Sequence, residues 1–162
     1  MNSPAPSATL PAHTTVPPRQ LAAWRAFLEA HARTVEILTR ELRDAEDLPL
    51  TWYDVLVQLN EAPDRRLRMQ ELADAVLLSK SGVTRLIDRM ERDGLVNRSR
   101  CSDDRRGTYA ELTPEGLARL RGSAPTHLQG VRDHFAAHFD DEEAAILERL
   151  LTRLAEANRD RE

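Results

Sequence analysis

Apolar positions along the chain fall into helical spacings, broken once by a short stretch of alternation. Leu21, Trp24, Leu28, Val35, Leu38 and Leu42 recur at three-, four- and seven-residue steps, which predicts one long amphipathic helix over residues 20–47. Leu48-Pro49-Leu50-Thr51 interrupts it. Thr51 is placed to N-cap the next helix, Trp52 to Asn60, with Asp54 at the capping-box position and Val55, Leu56 and Leu59 on its apolar face. Residues 62–66 read as a turn and Leu67 as a short strand. Leu72, Ala73 and Val76 then share one face of a short helix, and Val83, Leu86, Ile87 and Met90 one face of another. Ser79 stands where the second of these needs an N-cap, and Gly94 where it needs a left-handed C-cap. From Leu95 to Cys101 and from Thr108 to Leu112 the spacing changes to that of strands, with the polar run Ser102–Gly107 between them. Thr113-Pro114-Glu115 opens a further helix, expected to reach about His138 with a kink at Pro125. Asp140 and Glu143 form a capping box for a last helix carrying Ala145, Leu147, Leu150, Leu151 and Leu154, and Phe139 is placed as its hydrophobic staple.

The helix that starts after Ser79 carries the chemistry. Opposite its apolar face stand Lys80, Ser81, Thr84, Arg85, Arg89 and Arg92, with Gly82 leaving no side chain in the way. A cationic, small-polar helix face of this kind fits a DNA major groove. The hairpin behind it has Arg105 and Arg106 at its tip, where cations can enter the neighbouring minor groove. Helix, helix and hairpin in this order make a winged helix-turn-helix. The fold class is therefore mostly α with a small β-wing.

The chain resembles the multiple-antibiotic-resistance regulator (MarR) family of bacterial transcription factors. The resemblance is carried by Glu71-Leu72-Ala73, Leu78-Ser79-Lys80-Ser81, the run from Val83 to Glu91, Asp93-Gly94-Leu95-Val96, Asp104-Arg105-Arg106 and Leu112-Thr113-Pro114-Glu115-Gly116. It extends from about Leu21 to Leu154. Leu77 departs from the pattern, since many members have glycine there. A leucine Cβ argues against a left-handed backbone at that position. The resemblance implies a DNA-binding regulator, most simply a repressor, with Ser79, Lys80, Ser81, Thr84, Arg85, Arg89, Arg98, Arg105 and Arg106 at the DNA. It also implies that Asp104 orients Arg106 for the minor groove. A protein-binding winged domain would not need that pair, so the competing class, a helical interaction module that binds protein instead of DNA, is the second choice.

The net charge of −4 suits a DNA binder only once it is divided. Residues 65–106 hold 11 Lys/Arg against 7 Asp/Glu, net +4, and the rest holds 12 against 20, net −8. A basic module inside an acidic chain is the asymmetry that matters. No apolar run approaches the roughly 18 residues of a membrane span, and no secretory segment precedes the first helix, so a cytoplasmic protein without membrane association is expected. One cysteine makes no internal disulfide. There is no phosphate loop, nucleotide fingerprint or nucleophile elbow, so no enzyme and no cofactor are expected.

The remaining expectations concern partners. Residues 1–18, with five prolines, read as a disordered tail. Long amphipathic helices at both ends (19–47 and 114–162), outside a DNA-binding lobe at 48–113, need another apolar surface. A second copy supplies it most simply through a two-fold interface. The family resemblance implies the same homodimer, with two recognition helices set against a pseudopalindromic operator, about 10 base pairs per helical turn. It further implies a cleft for a small aromatic or phenolic ligand, for which Trp24, His31, Trp52 and Tyr53 are candidates; tryptophans in a chain this poor in aromatics serve equally well as core. His127, His134 and His138 include one i, i+4 pair that can hold zinc. With no accompanying cysteine or carboxylate cluster, surface or interface histidines are the preferred reading, and no metal site is expected. Cys101, flanked by Arg100 and near Arg98, is a candidate reactive thiol, with a packed strand residue preferred.

Overall fold

A computed structural model describes residues 15–100 and 107–159. The expected tail falls mostly outside the described residues, as do Cys101, Asp104, Arg105 and Arg106. The elements in chain order are α1 (Pro18–Glu46), α2 (Leu50–Glu61), β1 (Arg66–Arg68), α3 (Met69–Ala75), α4 (Lys80–Arg92), β2 (Val96–Arg100), β3 (Thr108–Leu112), α5 (Pro114–His134) and α6 (Asp141–Arg159). Two compact units divide the chain, residues 1–35 and 36–162.

In the larger unit, the core is built by the faces that periodicity picks out. Leu38 and Leu42 from the end of α1, Val55, Leu56 and Leu59 from α2, Leu72 and Ala73 from α3, and Val83, Leu86, Ile87 and Met90 from α4 are all buried together. The sheet closes one side, in the order β1-β3-β2 with both pairings antiparallel. Ala110 sits opposite Leu67 and Arg98 in the register, so the inner face of the sheet carries these residues and the outer face carries Tyr109 and Glu111. Leu67 does supply the expected third strand. This is a winged helix-turn-helix, mostly helical with a small three-stranded sheet.

The end of α1 is fastened to α5. The Thr126 hydroxyl and the Glu46 carboxylate are 2.5 Å apart, the Arg119 guanidinium donates to the Glu46 carbonyl, and His134 Nε2 lies 2.7 Å from Glu41 Oε1. α5 starts as predicted, with Thr113 Oγ1 accepting from the Gly116 N–H at 2.9 Å. It continues through Pro125 and ends at His134; a separate 3-10 turn, Ala136–His138, follows. The capping box of α6 is formed in both directions, at 2.8 and 3.1 Å. Among the described residues, no helix is long and apolar enough to cross a membrane.

Two local expectations fail. Thr51 does not cap α2: the helix already includes it, starting at Leu50 after Pro49, with no side-chain cap. The Pro49 carbonyl accepts from the N–H groups of Trp52 and Tyr53, so the helix nucleates on backbone instead. Leu77 adopts φ 55, the left-handed conformation that its side chain argues against. The reason is the turn. The Leu78 N–H closes on the Ala73 carbonyl at 3.0 Å and the Leu77 N–H on the Asp74 carbonyl at 3.4 Å, a Schellman-type C-cap whose extra residue must be left-handed. α4 ends the same way on Gly94, φ 75, with the Leu95 N–H bonded to Met90 O at 2.9 Å. The chain reversal between α3 and α4 thus overrides a side-chain preference of about 1–2 kcal/mol.

Candidate nucleic-acid interface

The start of α4 is set by Ser79, whose Oγ accepts from the Gly82 N–H at 3.1 Å. That cap places Lys80, Ser81, Thr84, Arg85 and Arg89 on the exposed face, directly behind the buried Val83, Leu86, Ile87 and Met90. Gly82 is packed over the cap, since a Cβ there would sit 3.1 Å from Ser79 Oγ. Arg89 and Arg92 lean back along the helix through Nε, onto the carbonyls of Arg85 and Asp88. Thr84 Oγ1 donates to the Lys80 carbonyl at 2.8 Å, so its methyl is the part turned away from the backbone. Seven predicted surface residues, Ser79 to Arg89 and Arg98, are therefore within the described structure, and six of them share one exposed face.

Arg98 is the exception. Its guanidinium is turned onto α4, at 2.6 Å from Asp88 Oδ1, 2.8 Å from Glu91 Oε2 and 3.1 Å from the Thr84 carbonyl. Its side chain is only 25% exposed. The signal for this was present in the sequence: two acids, Asp88 and Glu91, inside an otherwise cationic helix need a counter-charge. What the spacing did not reveal is which of the arginines reaches them. On the outer face of the sheet, Arg66 and Arg68 stack on the Tyr109 ring at 5.0 and 5.8 Å, a cation–π arrangement that only the strand pairing assembles.

The four ligand-pocket candidates lie in different settings. Trp24 and His31 flank Phe27 along α1, at ring separations of 6.1 and 6.2 Å, all three exposed. Trp52 packs against the core of the larger unit. Tyr53 is buried and lines a cavity of about 680 Å³ between α2, the end of α3 and α5, together with Asp54, Val57, Leu120, His127 and Leu128. The Tyr53 and His127 rings are 4.4 Å apart. His127 Nδ1 is buried with no hydrogen-bond partner among the described residues. Burial lowers the His127 pKa and raises that of Asp54; burial, then the Asp54 charge, raises that of Tyr53. The sequence presents His127 only as a potential metal ligand; packing of α5 on α2 makes it a wall of this cavity. His134 is taken by Glu41, and His138 lies in the 3-10 turn, outside the helix that would set the i, i+4 pair. No group of three His, Cys, Asp or Glu among the described residues is arranged to hold a metal.

Comparison with known proteins agrees with this geometry. Residues 46–107, from the end of α1 to the residue before β3, match the MarR family. The chain is 35% identical over 104 residues to the HTH-type transcriptional repressor YetL of Bacillus subtilis, covering 64% of this chain and 62% of that protein, less than two thirds of its length. Among solved structures it is similar to AbsC of Streptomyces coelicolor, a MarR family transcriptional regulator, with TM-score 0.83, 36% identity and coverage of 90% of this chain and 98% of that one. It is equally similar, at TM-score 0.83 and 34% identity, to Sco3205 of the same organism, solved in complex with DNA, covering 88% and 90% of the two chains. Likeness at this identity, over nearly the whole of two solved regulators, carries more than a shared fold, and the chain belongs to the MarR family of transcriptional regulators.

Proposed function

We propose that the protein is a DNA-binding repressor that occupies a pseudopalindromic operator as a homodimer and is released by a small aromatic or phenolic ligand. The observation that carries the DNA-binding reading is the exposed face of α4. Ser79, Lys80, Ser81, Thr84, Arg85 and Arg89 stand clear of the core at the start and along one face of a 13-residue helix, with nothing described covering them. Such a helix enters the major groove with its N-terminal residues on base edges. Arg105 and Arg106, steadied by Asp104, complete the surface at the wing tip in this reading. Support also comes from Sco3205, which was solved in complex with DNA, and from YetL, named as a repressor.

The homodimer is supported by unsatisfied apolar surface in each unit. α6 has no buried residue, and Ile146, Leu150 and Leu154 line it at four-residue steps, each more than 40% exposed. In the N-terminal unit Trp24, Phe27, Leu28 and Val35 are likewise exposed along α1. Stripes of this kind on long helices are covered by association. Residues 19–47 and 114–162 would thus serve dimerisation and 48–113 the DNA. Release by a ligand is supported by the cavity at Tyr53 and His127, whose aromatic walls and one unpartnered nitrogen suit a planar molecule with a polar substituent.

The test is selection of bound duplexes from a random pool, followed by isotherms on selected and scrambled sequences. Arg85→Ala should lose about 1–3 kcal/mol on the selected duplex and much less on the scrambled one. Failure to enrich any sequence would sink the proposal. Light scattering should report a dimer that is lost, to monomer or aggregate, when the chain is truncated after Asp140. Melting-temperature screens with phenolic compounds address the ligand, and a shift that Tyr53→Ala abolishes would locate it.

A further inference from the structure

The family resemblance puts Arg98 at the DNA, yet both its terminal guanidinium nitrogens face the protein. Nη1 is shared between Asp88 and Glu91, Nη2 reaches the Thr84 carbonyl, and the Arg98 backbone N–H donates to Glu91 Oε1 at 3.0 Å. Thr84, Asp88 and Glu91 lie at i, i+4 and i+7 on α4, so one side chain from β2 grips two turns of the recognition helix along a single line. The planar fork of a guanidinium can serve several acceptors in fixed directions at once; a lysine ammonium is a compact point charge and cannot span them. The local charge argues the same way. One guanidinium against two carboxylates leaves the cluster net negative, which repels a phosphate.

From this geometry we propose that Arg98 is a positioning residue: it clamps the first wing strand to the recognition helix, so that groove-reading helix and wing meet DNA at a fixed mutual angle. The inference rests on the DNA-binding reading above and assigns Arg98 no contact with DNA. Base readout demands that several side chains of α4 reach their base edges together, whereas non-specific binding tolerates many poses. Loosening the clamp therefore erodes specificity while leaving the general attraction to the backbone intact.

The experiment uses the full-length protein with Arg98→Met, Arg98→Lys, Glu91→Gln and the double variant Arg98→Met/Glu91→Gln. Isotherms are recorded on selected and scrambled duplexes across a salt series, with thermal melts alongside. Arg98→Met should weaken binding to the selected duplex about tenfold, leaving scrambled-duplex affinity and the salt slope unchanged. Arg98→Lys should lose nearly as much, although it keeps the charge. Glu91→Gln is the sharpest arm. It removes a negative charge from the DNA side, so electrostatics alone would tighten binding, whereas loss of the clamp weakens it on the selected duplex. The double variant should lose no more than the worse single one, because both break the same contact. Should Arg98→Met fail to fold, Arg98→Lys and Glu91→Gln carry the comparison. Wild-type affinity in Arg98→Lys, a salt slope lower by about one unit in Arg98→Met, or tighter binding by Glu91→Gln would each overturn the inference in favour of a direct phosphate contact. A wild-type protein that does not discriminate between the duplexes would instead overturn the DNA-binding reading, and the inference with it.

Discussion

Thr113 joins the end of β3 to the start of α5, and its single hydroxyl holds three elements together. Oγ1 accepts from the Gly116 N–H at 2.9 Å and donates towards the carbonyls of Gly94, at 2.7 Å, and Leu95, at 3.0 Å. Its own N–H also bonds the Leu95 carbonyl, at 3.2 Å. The turn that ends the recognition helix is thereby tied to the helix leaving the DNA-binding lobe. Thr113→Val keeps the shape and the backbone bond and removes both hydroxyl interactions. Losing the cap costs about 1 kcal/mol. Losing the donated bond from a buried site costs about 1 kcal/mol more. Because Thr113 is buried and Gly116 lies beneath it, water does not readily replace them. The expected total of about 2 kcal/mol corresponds to a melting temperature lower by roughly 4–8 °C for a chain of this size. Calorimetry at one fixed protein concentration measures it, since association shifts the midpoint of a dimer. Thr113→Ser retains the hydroxyl and should lose less than half as much. A Thr113→Val protein within about 0.5 kcal/mol of wild type, or a Thr113→Ser protein as unstable as the valine variant, would refute the assignment of the energy to this hydroxyl.

Three further outcomes are expected. Gly116→Ala should destabilise by about 3 kcal/mol, because the new Cβ would collide with the Leu95 carbonyl oxygen, a backbone atom that cannot swing aside; a melt unchanged from wild type would contradict that packing. Leu77→Gly should raise the melting temperature by roughly 1–4 °C, since Leu77 is 90% exposed and packs little, while relief of a left-handed penalty of about 1–2 kcal/mol exceeds glycine's added unfolded-state entropy of about 0.5–1 kcal/mol. His127, held by burial below its usual 6.5, takes its proton later in the folded than in the unfolded chain. Its contribution is therefore complete above about pH 6.5 and is lost as pH falls below that value. Asp54, with its pKa raised, works in the opposite sense, favouring the fold as it protonates. The comparison is thus between wild type and His127→Leu, and the variant's stability should fall less steeply with acidification in chemical denaturation; parallel curves would exclude His127 as the cause.

The sequence by itself determined the parts of this protein whose physics is local. Ser79, Thr113 and the Asp140–Glu143 pair cap helices because each side chain bonds an N–H within three residues of itself. The faces at Leu72, Val83, Ile87 and Met90 were legible because burial of an amphipathic helix follows its 3.6-residue period. Gly94 was legible because its neighbours require a backbone that only glycine adopts without cost. Local signals failed where a longer-range demand outweighed them. Leu77 is left-handed because the helix-turn-helix must reverse there, and Thr51 does not act as the cap because the Pro49 carbonyl already starts the helix. Only the tertiary structure decided where Arg98 points, because the strand pairing of β2 with β3 carries it to carboxylates seven and ten residues earlier on another element. Likewise Tyr53 and His127 meet across 74 residues of sequence, in a cavity that exists only once α2 packs on α5. No periodicity encodes such a meeting, since it depends on which helix faces which, and that is settled by how the whole core closes.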